Sequence, residues 1–144
     1  MNQISEILEW FNRAVPSPNE RNFWIQAGCD AEECAEALAA LGLGEEARLL
    51  DNVAYDLKTS PEFFTVEGVD RTALLDAICD RIVTGIGMAH MLGMDIQGAL
   101  AEVNRSNWSK FVDGKPVFDE NGKIKKRPGY SAPELWRFVK EEGQ

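Results

Sequence analysis

The sequence predicts an all-α protein, a bundle of about five to six helices with a short hairpin or loop near residues 115–126. Three observations lead there. Apolar residues recur at three- and four-residue intervals through five successive segments, the spacing of one face of a helix. Pro16, Pro18, Gly42, Pro61, Gly68 and Gly93 fall between those segments, where chain breakers belong. Asp70 and Asp95 stand where the N-caps of two of them are needed. A length of 144 residues suits one domain with its own core, and 44% apolar composition fits a globular chain.

The first helix is expected over residues 2–14, with Ile4, Ile7, Leu8 and Phe11 at helical spacing, and Pro16-Ser17-Pro18 ends it. The second, over 20–41, is rich in alanine and stops at Gly42 and Gly44. One of its faces carries Trp24, Ala27, Ala31, Cys34, Leu38 and Leu41; another carries Gln26, Cys29, Glu33, Glu36 and Ala40. Its small residues admit a close helical neighbour. A third helix follows over 45–58, through Leu49, Leu50, Val53, Ala54 and Leu57. The segment from Ser60-Pro61 to Gly68, with Phe63, Phe64 and Val66, has no periodicity that assigns it.

Asp70 is the expected cap of a fourth helix over 71–92, the most apolar stretch of the chain. Its apolar residues surround most of the circumference, which predicts a central, buried helix. Gly93 stops it, and Asp95 or a neighbour starts a fifth helix over 95–107, with Ile96, Leu100 and Val103 inward. Beyond Lys110 the pattern changes. Lys115-Pro116-Val117-Phe118 and Gly122-Lys123-Ile124-Lys125 flank an Asn121-Gly122 turn signal. Pro133 is expected to open a last short helix containing Leu135, Trp136 and Val139.

Several function classes are disfavoured at once. A net charge of −9 creates no field that draws in a polynucleotide, so no nucleic-acid polymer is expected as partner. No apolar run is long enough to span a bilayer, so no membrane partner is expected. The opening residues Met1–Glu6 lack the regions of a signal peptide, which predicts a cytoplasmic location. The three cysteines, Cys29, Cys34 and Cys79, lack metal-type spacing and read as small buried apolar residues of a reducing compartment.

The chemistry concentrates in two acidic sets, Glu32-Glu33-x-x-Glu36 on the second helix and Asp76-x-x-x-Asp80 on the fourth. Residues three or four apart on a helix share a face, with Cβ atoms roughly 5–6 Å apart. Aspartate is a poor helix former, and two of them on an apolar helix with no basic residue on their stripe need a reason. One reason is a divalent cation: if the two faces meet, four or five carboxylate groups favour an octahedral ion, magnesium or manganese. The other is mundane. The glutamates can be solvated, and the aspartates can pair with arginines elsewhere, Arg21 or Arg48.

A basic, amide-bearing stretch follows over 102–130, with Asn104, Asn107, Lys110, Lys115, Lys123, Lys125, Lys126, Arg127 and Tyr130. Lysines donate to phosphate oxygens, and asparagine amides bind a metal, a phosphate or a base edge. An ordinary solvated loop is the competing reading. Trp108 and Tyr130 suit either base stacking or a core role.

Taken together, the two halves resemble the all-α nucleoside triphosphate pyrophosphatase superfamily, which includes MazG-like proteins, dimeric dUTPases and phosphoribosyl-ATP pyrophosphohydrolases. Glu33-x-x-Glu36, preceded by Glu32, and Leu75-Asp76-Ala77-Ile78-Cys79-Asp80 resemble its two acidic signatures. Gly87–Asp95, Glu102–Lys110, Gly122-Lys123-Ile124-x-Lys126 and Pro128-x-Tyr130 are similar to the phage and bacterial MazG-like subgroup labelled phosphoribosyl-ATP pyrophosphohydrolase-like. The resemblance spans roughly residues 20–135. Two departures stand out. Ala77 occupies a place where the superfamily commonly has an acid, which makes Asp80 a stronger metal candidate than Asp76. Arg127 stands where a glycine is expected.

The resemblance implies one MazG-like helical domain over 1–144 and a magnesium-dependent hydrolase. Its substrate would be an NTP or dNTP, cut to the monophosphate and pyrophosphate by water attack at the α-phosphorus. It implies a catalytic role for Glu32, metal ligation by Glu33, Glu36, Asp76 and Asp80, and substrate contacts from Asn104, Asn107, Lys110, Lys123, Lys126 and Tyr130. It also implies a homodimer or a dimer of dimers. The alternative on the same scaffold is a non-catalytic nucleotide or metal sensor, for which Ala77 is the sign. A helical dimer with wholly solvated acids is the third possibility.

Overall fold

A computed structural model describes residues 2–120 and 122–139. It is all-helical, with α1 (Gln3–Ala14), α2 (Glu20–Ala40), α3 (Gly44–Thr59), α4 (Arg71–Met91) and α5 (Ile96–Trp108). Two 3₁₀ turns, Pro61–Phe63 and Leu135–Phe138, complete the helical elements among the described residues. Every predicted helix through the fifth is present within two residues of its expected ends. The local signals acted as expected: the Asp70 side chain accepts from the N–H groups of Thr72 and Ala73, and Asp95 accepts from Gly98, each at 3.0 Å. A cap absent from the sequence reading starts α2, where Asn19 and Asn22 form a reciprocal capping box.

The chain, expected as one domain, divides into two compact units. The first holds the described residues of Met1–Ala14, Gly68–Val117 and Lys125–Gln144; the second holds Val15–Glu67 and Phe118–Ile124.

In the second unit α2 and α3 form an antiparallel hairpin. The contact is built from small residues: Ala35 and Ala54 are 1% exposed, and Ile25, Gly28 and Ala47 are also buried. The inward stripe of α2 therefore runs through Ile25, Gly28 and Ala35, displaced from the Trp24-to-Leu41 face that apolar periodicity selects. Glycine and alanine weigh little on a hydropathy scale, yet they decide how closely two helices approach. A Cβ at Gly28 would lie 2.6 Å from Lys58 Cγ and 2.9 Å from the Ala54 carbonyl oxygen. The Pro61–Phe63 turn brings Phe64 against Trp24, with ring centroids 5.3 Å apart.

Also in this unit, residues 118–124 close a small loop through a Phe118–Ile124 bridge. Asp119 ties it at both ends: its N–H donates to the Lys123 carbonyl (2.8 Å), and its carboxylate accepts from the Lys123 N–H (2.9 Å). Asn121 of the expected Asn-Gly turn lies outside the described residues. A tight turn unforeseen in the sequence reading joins Val112 to Lys115 in the first unit, with Asp113 and Gly114 at φ 51° and 71°. Asp-Gly is the preferred pair for such a turn, so the signal was there.

The first unit is organised around α5. Trp10 of α1 donates to the Asn107 carbonyl (3.1 Å) and stacks on Phe111 at 5.7 Å. Along another side of α5 runs the segment ending in the Leu135–Phe138 turn. Phe138 accepts from the Asp95 N–H at 2.9 Å, and its ring covers Gly98. The expected last helix is reduced to that 3₁₀ turn. It is held to α5 and its cap by the Glu134 N–H on Glu102 and the Phe138 carbonyl on the Asp95 N–H, and so short a helix is marginal alone.

Within its unit α4 packs on α5 at its C-terminal end. The prediction of a central, buried α4 is wrong for this chain. Among its residues only Ala89 is buried, while Leu75, Ile78, Ile82, Val83, Ile86, Met88, Met91 and the following Leu92 are exposed, from 44% at Ile78 to 82% at Met91. An all-round apolar surface states that a helix needs neighbours, but not that its own chain provides them. The same exposure overturns the buried reading of Cys79, which faces solvent; Cys29 and Cys34 are half-buried. No helix among the described residues is long and apolar enough to cross a membrane.

Candidate functional site

The expected site residues divide between the units. Glu32, Glu33, Glu36 and Lys123 lie in the second; Asp76, Asp80, Asn104, Asn107, Lys110, Lys126 and Tyr130 lie in the first.

On α2 the three glutamates have different surroundings. Glu33 and Glu36 are exposed, one helical turn apart. Glu32 continues the inward stripe one turn after Gly28 and meets two lysines. Lys58 Nζ of α3 is 2.8 Å from its Oε1, and Lys123 Nζ of the 118–124 loop is 3.1 Å from its Oε2. The hydrogen bond from Lys58, aided by Lys123 and opposed by partial burial, holds the Glu32 carboxyl below its ordinary range. Burial pulls Lys123 down, but its bond and charge pairing with Glu32 outweigh that and raise it. Burial raises the neighbouring Cys29 thiol, with the two lysines opposing, so Cys29 stays a neutral thiol.

Lys58 was absent from the sequence reading. The available signal was Gly28. A glycine inside a helix costs about 1 kcal/mol relative to alanine and marks a close approach by something else. Here that something is the Lys58 stem.

On α4, Asp76 and Asp80 are exposed, one turn apart, among exposed apolar side chains. The pairing considered with Arg21 or Arg48 is not among the ion pairs of the described residues. Also among the described residues, no group of three or more His, Cys, Asp or Glu side chains forms a ready metal cage. Magnesium does not require one: it keeps several waters and is usually held by one or two carboxylates together with substrate phosphates. Carboxylate pairs one turn apart fit that requirement.

The tail residues take distinct places. Asn104 is 3% exposed, and its amide nitrogen donates to the side-chain and main-chain oxygens of Gln3 at 2.7 and 3.3 Å. It ties α1 to α5. Asn107 accepts from Lys110 Nζ at 2.8 Å, leaving a lysine and an amide side by side. Lys126 lies over the Tyr130 ring, 5.2 Å from its centroid. Trp108 is half-buried, packed against Phe111 and under Arg13.

Glu102 anchors the C-terminal segment to α5. Its carboxylate takes two bonds from Arg105 (2.7 and 2.8 Å) and one from the Glu134 N–H (2.9 Å). Arg105 first and the Glu134 amide second pull its carboxyl from an ordinary value of 4.5 to about 2. Because the folded value is depressed, this anchor is complete above about pH 4.5 and is lost only as pH falls through about 2. The Glu102 side-chain carboxyl resonance is therefore expected to hold its position from pH 7 to about pH 3; movement centred near 4.5 would show that the anchor does not form.

Comparison with known protein families, with curated proteins and with solved structures finds no match for this chain.

Proposed function

We propose that this chain is a magnesium-dependent nucleoside triphosphate pyrophosphohydrolase, which converts an NTP or dNTP to a monophosphate and pyrophosphate. The observation that carries the reading is the coincidence of two acidic helical pairs with a basic, amide-bearing tail. Glu33 and Glu36 present carboxylates from α2, and Asp76 and Asp80 from α4. Lys110 beside Asn107, Lys123, and Lys126 on Tyr130 supply the cationic complement. The resemblance to the all-α pyrophosphatases rests on these same residues.

Each acidic pair, Glu33 with Glu36 on α2 and Asp76 with Asp80 on α4, would hold metal, which would supply neutralisation of the triphosphate charge. Glu32 accepts the proton of the attacking water. The lysines stabilise charge on the phosphoryl oxygens, the larger part of such catalysis. Tyr130 offers a ring face to the base.

A second copy of the chain is part of the reading. The exposed apolar residues of α4, from Leu75 to Met91, make the kind of extended apolar surface that marks a protein–protein contact. A homodimer, or a dimer of dimers, buries this surface and gives α4 the neighbours its composition demands.

The test is a panel of canonical and modified NTPs and dNTPs, with and without magnesium, read as monophosphate and pyrophosphate. Magnesium-dependent pyrophosphate release is expected, with a preference among bases. No turnover, with magnesium still raising the melting temperature, replaces the enzyme with the non-catalytic sensor. Neither effect returns the acids to ordinary helix surface.

A further inference from the structure

Glu32 lies where a base is wanted, yet both of its oxygens are taken by lysines. Each lysine is held by a device of its own. Lys58 crosses α2 over Gly28, where a Cβ would lie 2.6 Å from Lys58 Cγ and block its stem. Lys123 is fixed by the Asp119 ties and the Phe118–Ile124 bridge, and a Cβ on Gly122 beside it would lie 3.2 Å from Ile25 Cδ1. Two ammonium groups thus converge from α3 and from the 118–124 loop on one carboxylate. Together the three side chains carry one net positive charge. Lysine ammonium groups bind phosphate oxygens as readily as they bind carboxylates.

We propose that Lys58 and Lys123 form an oxyanion clamp, that Glu32 occupies it in the substrate-free chain, and that a phosphate group displaces Glu32 from it. No covalent bond is made or broken; one anion is exchanged for another on the same two ammonium groups. The clamp requires only a phosphate-type oxyanion. Its consequence for catalysis rests on the function proposed above: arrival of the triphosphate takes both lysine partners from Glu32 and frees its two carboxylate oxygens. Lys58 becomes a substrate-binding residue, and Glu32 a built-in competitor for the same position.

Competition makes opposite predictions for the two sides of the ion pair. Inorganic pyrophosphate, without metal and at low salt, is titrated into the full-length chain by calorimetry. Lys58→Met, which keeps an apolar stem over Gly28, and Lys123→Met are each expected to weaken binding about tenfold or more. Glu32→Gln is expected to tighten it about tenfold if Glu32 fills the clamp for about nine-tenths of the time. Glu46→Gln at the start of α3 removes the same charge at a distance, and is expected to leave binding unchanged. Glu32→Gln binding no tighter than the parent overturns the proposal. So does equal tightening in Glu46→Gln, which would assign the effect to bulk charge, and so does no pyrophosphate binding by any of the proteins. If a lysine variant does not fold, the two glutamine variants decide alone. Absent NTP turnover with these affinities intact removes the enzyme reading and leaves the clamp standing.

Discussion

Glu36→Gln and Asp80→Asn are each expected to lower magnesium-dependent pyrophosphate release by at least a hundredfold while leaving helix content and melting temperature nearly unchanged. The two halves of that expectation have separate grounds. Both side chains are exposed, and neither makes an ion pair or side-chain hydrogen bond among the described residues. Exposed substitutions of this kind stay within about 0.5 kcal/mol of the parent. On the catalytic side, residues that merely orient metal ligands cost about 10–100-fold when removed, so a ligand itself costs at least the upper end. Circular dichroism and the nucleotide panel check both halves on the same samples. Full activity in either variant removes that residue from the metal site. Asp76→Asn is expected to have a smaller effect than Asp80→Asn, because the resemblance to the all-α pyrophosphatases puts an acid at position 77 and not at 76. An effect as large as that of Asp80→Asn would make Asp76 an equal metal ligand.

Ile82→Glu on α4 is expected to convert an assembled protein into single chains. The parent chain should sediment as a dimer or a larger even assembly at micromolar concentration. Ile82 lies midway along the exposed apolar surface, beside Val83, which is also exposed. A carboxylate placed there loses the burial of the isoleucine and brings an unpaired charge into the contact, a penalty of about 3–5 kcal/mol. That corresponds to a weakening of roughly 150- to 4,000-fold in the dimer constant. The substitution costs the isolated chain little, because position 82 is half exposed before assembly. A parent that runs as a monomer removes the second copy from the proposed function. A variant that keeps the parent's mass moves the interface away from α4.

Much of this architecture was legible residue by residue. Helix ends follow from chemistry that acts over three or four positions: a carboxylate reaching the next free N–H groups at Asp70 and Asp95, and prolines that cannot extend α1. Carboxylate pairs on one helical face follow from a period of 3.6. The sequence therefore determined the all-α class, five helices and the helical placement of every acid in the candidate site.

What an acid or amide meets across the fold was decided only by tertiary structure. Glu32 reads like Glu33 and Glu36 in the sequence, but the approach of α3 at Gly28 and a loop 91 residues away give it two lysines. Asn104 reads like Asn107, yet burial against α1 commits it to Gln3, 101 residues distant. Apolar periodicity placed α4 in a core that its own chain does not supply, because hydropathy measures a demand for neighbours and is silent on their source. Local hydrogen bonding and backbone sterics are set by adjacent residues and can be read in order. Pairings across long sequence separations depend on how closely helices pack, and that is settled by small residues such as Gly28, Ala35 and Ala54, which carry almost no signal of their own.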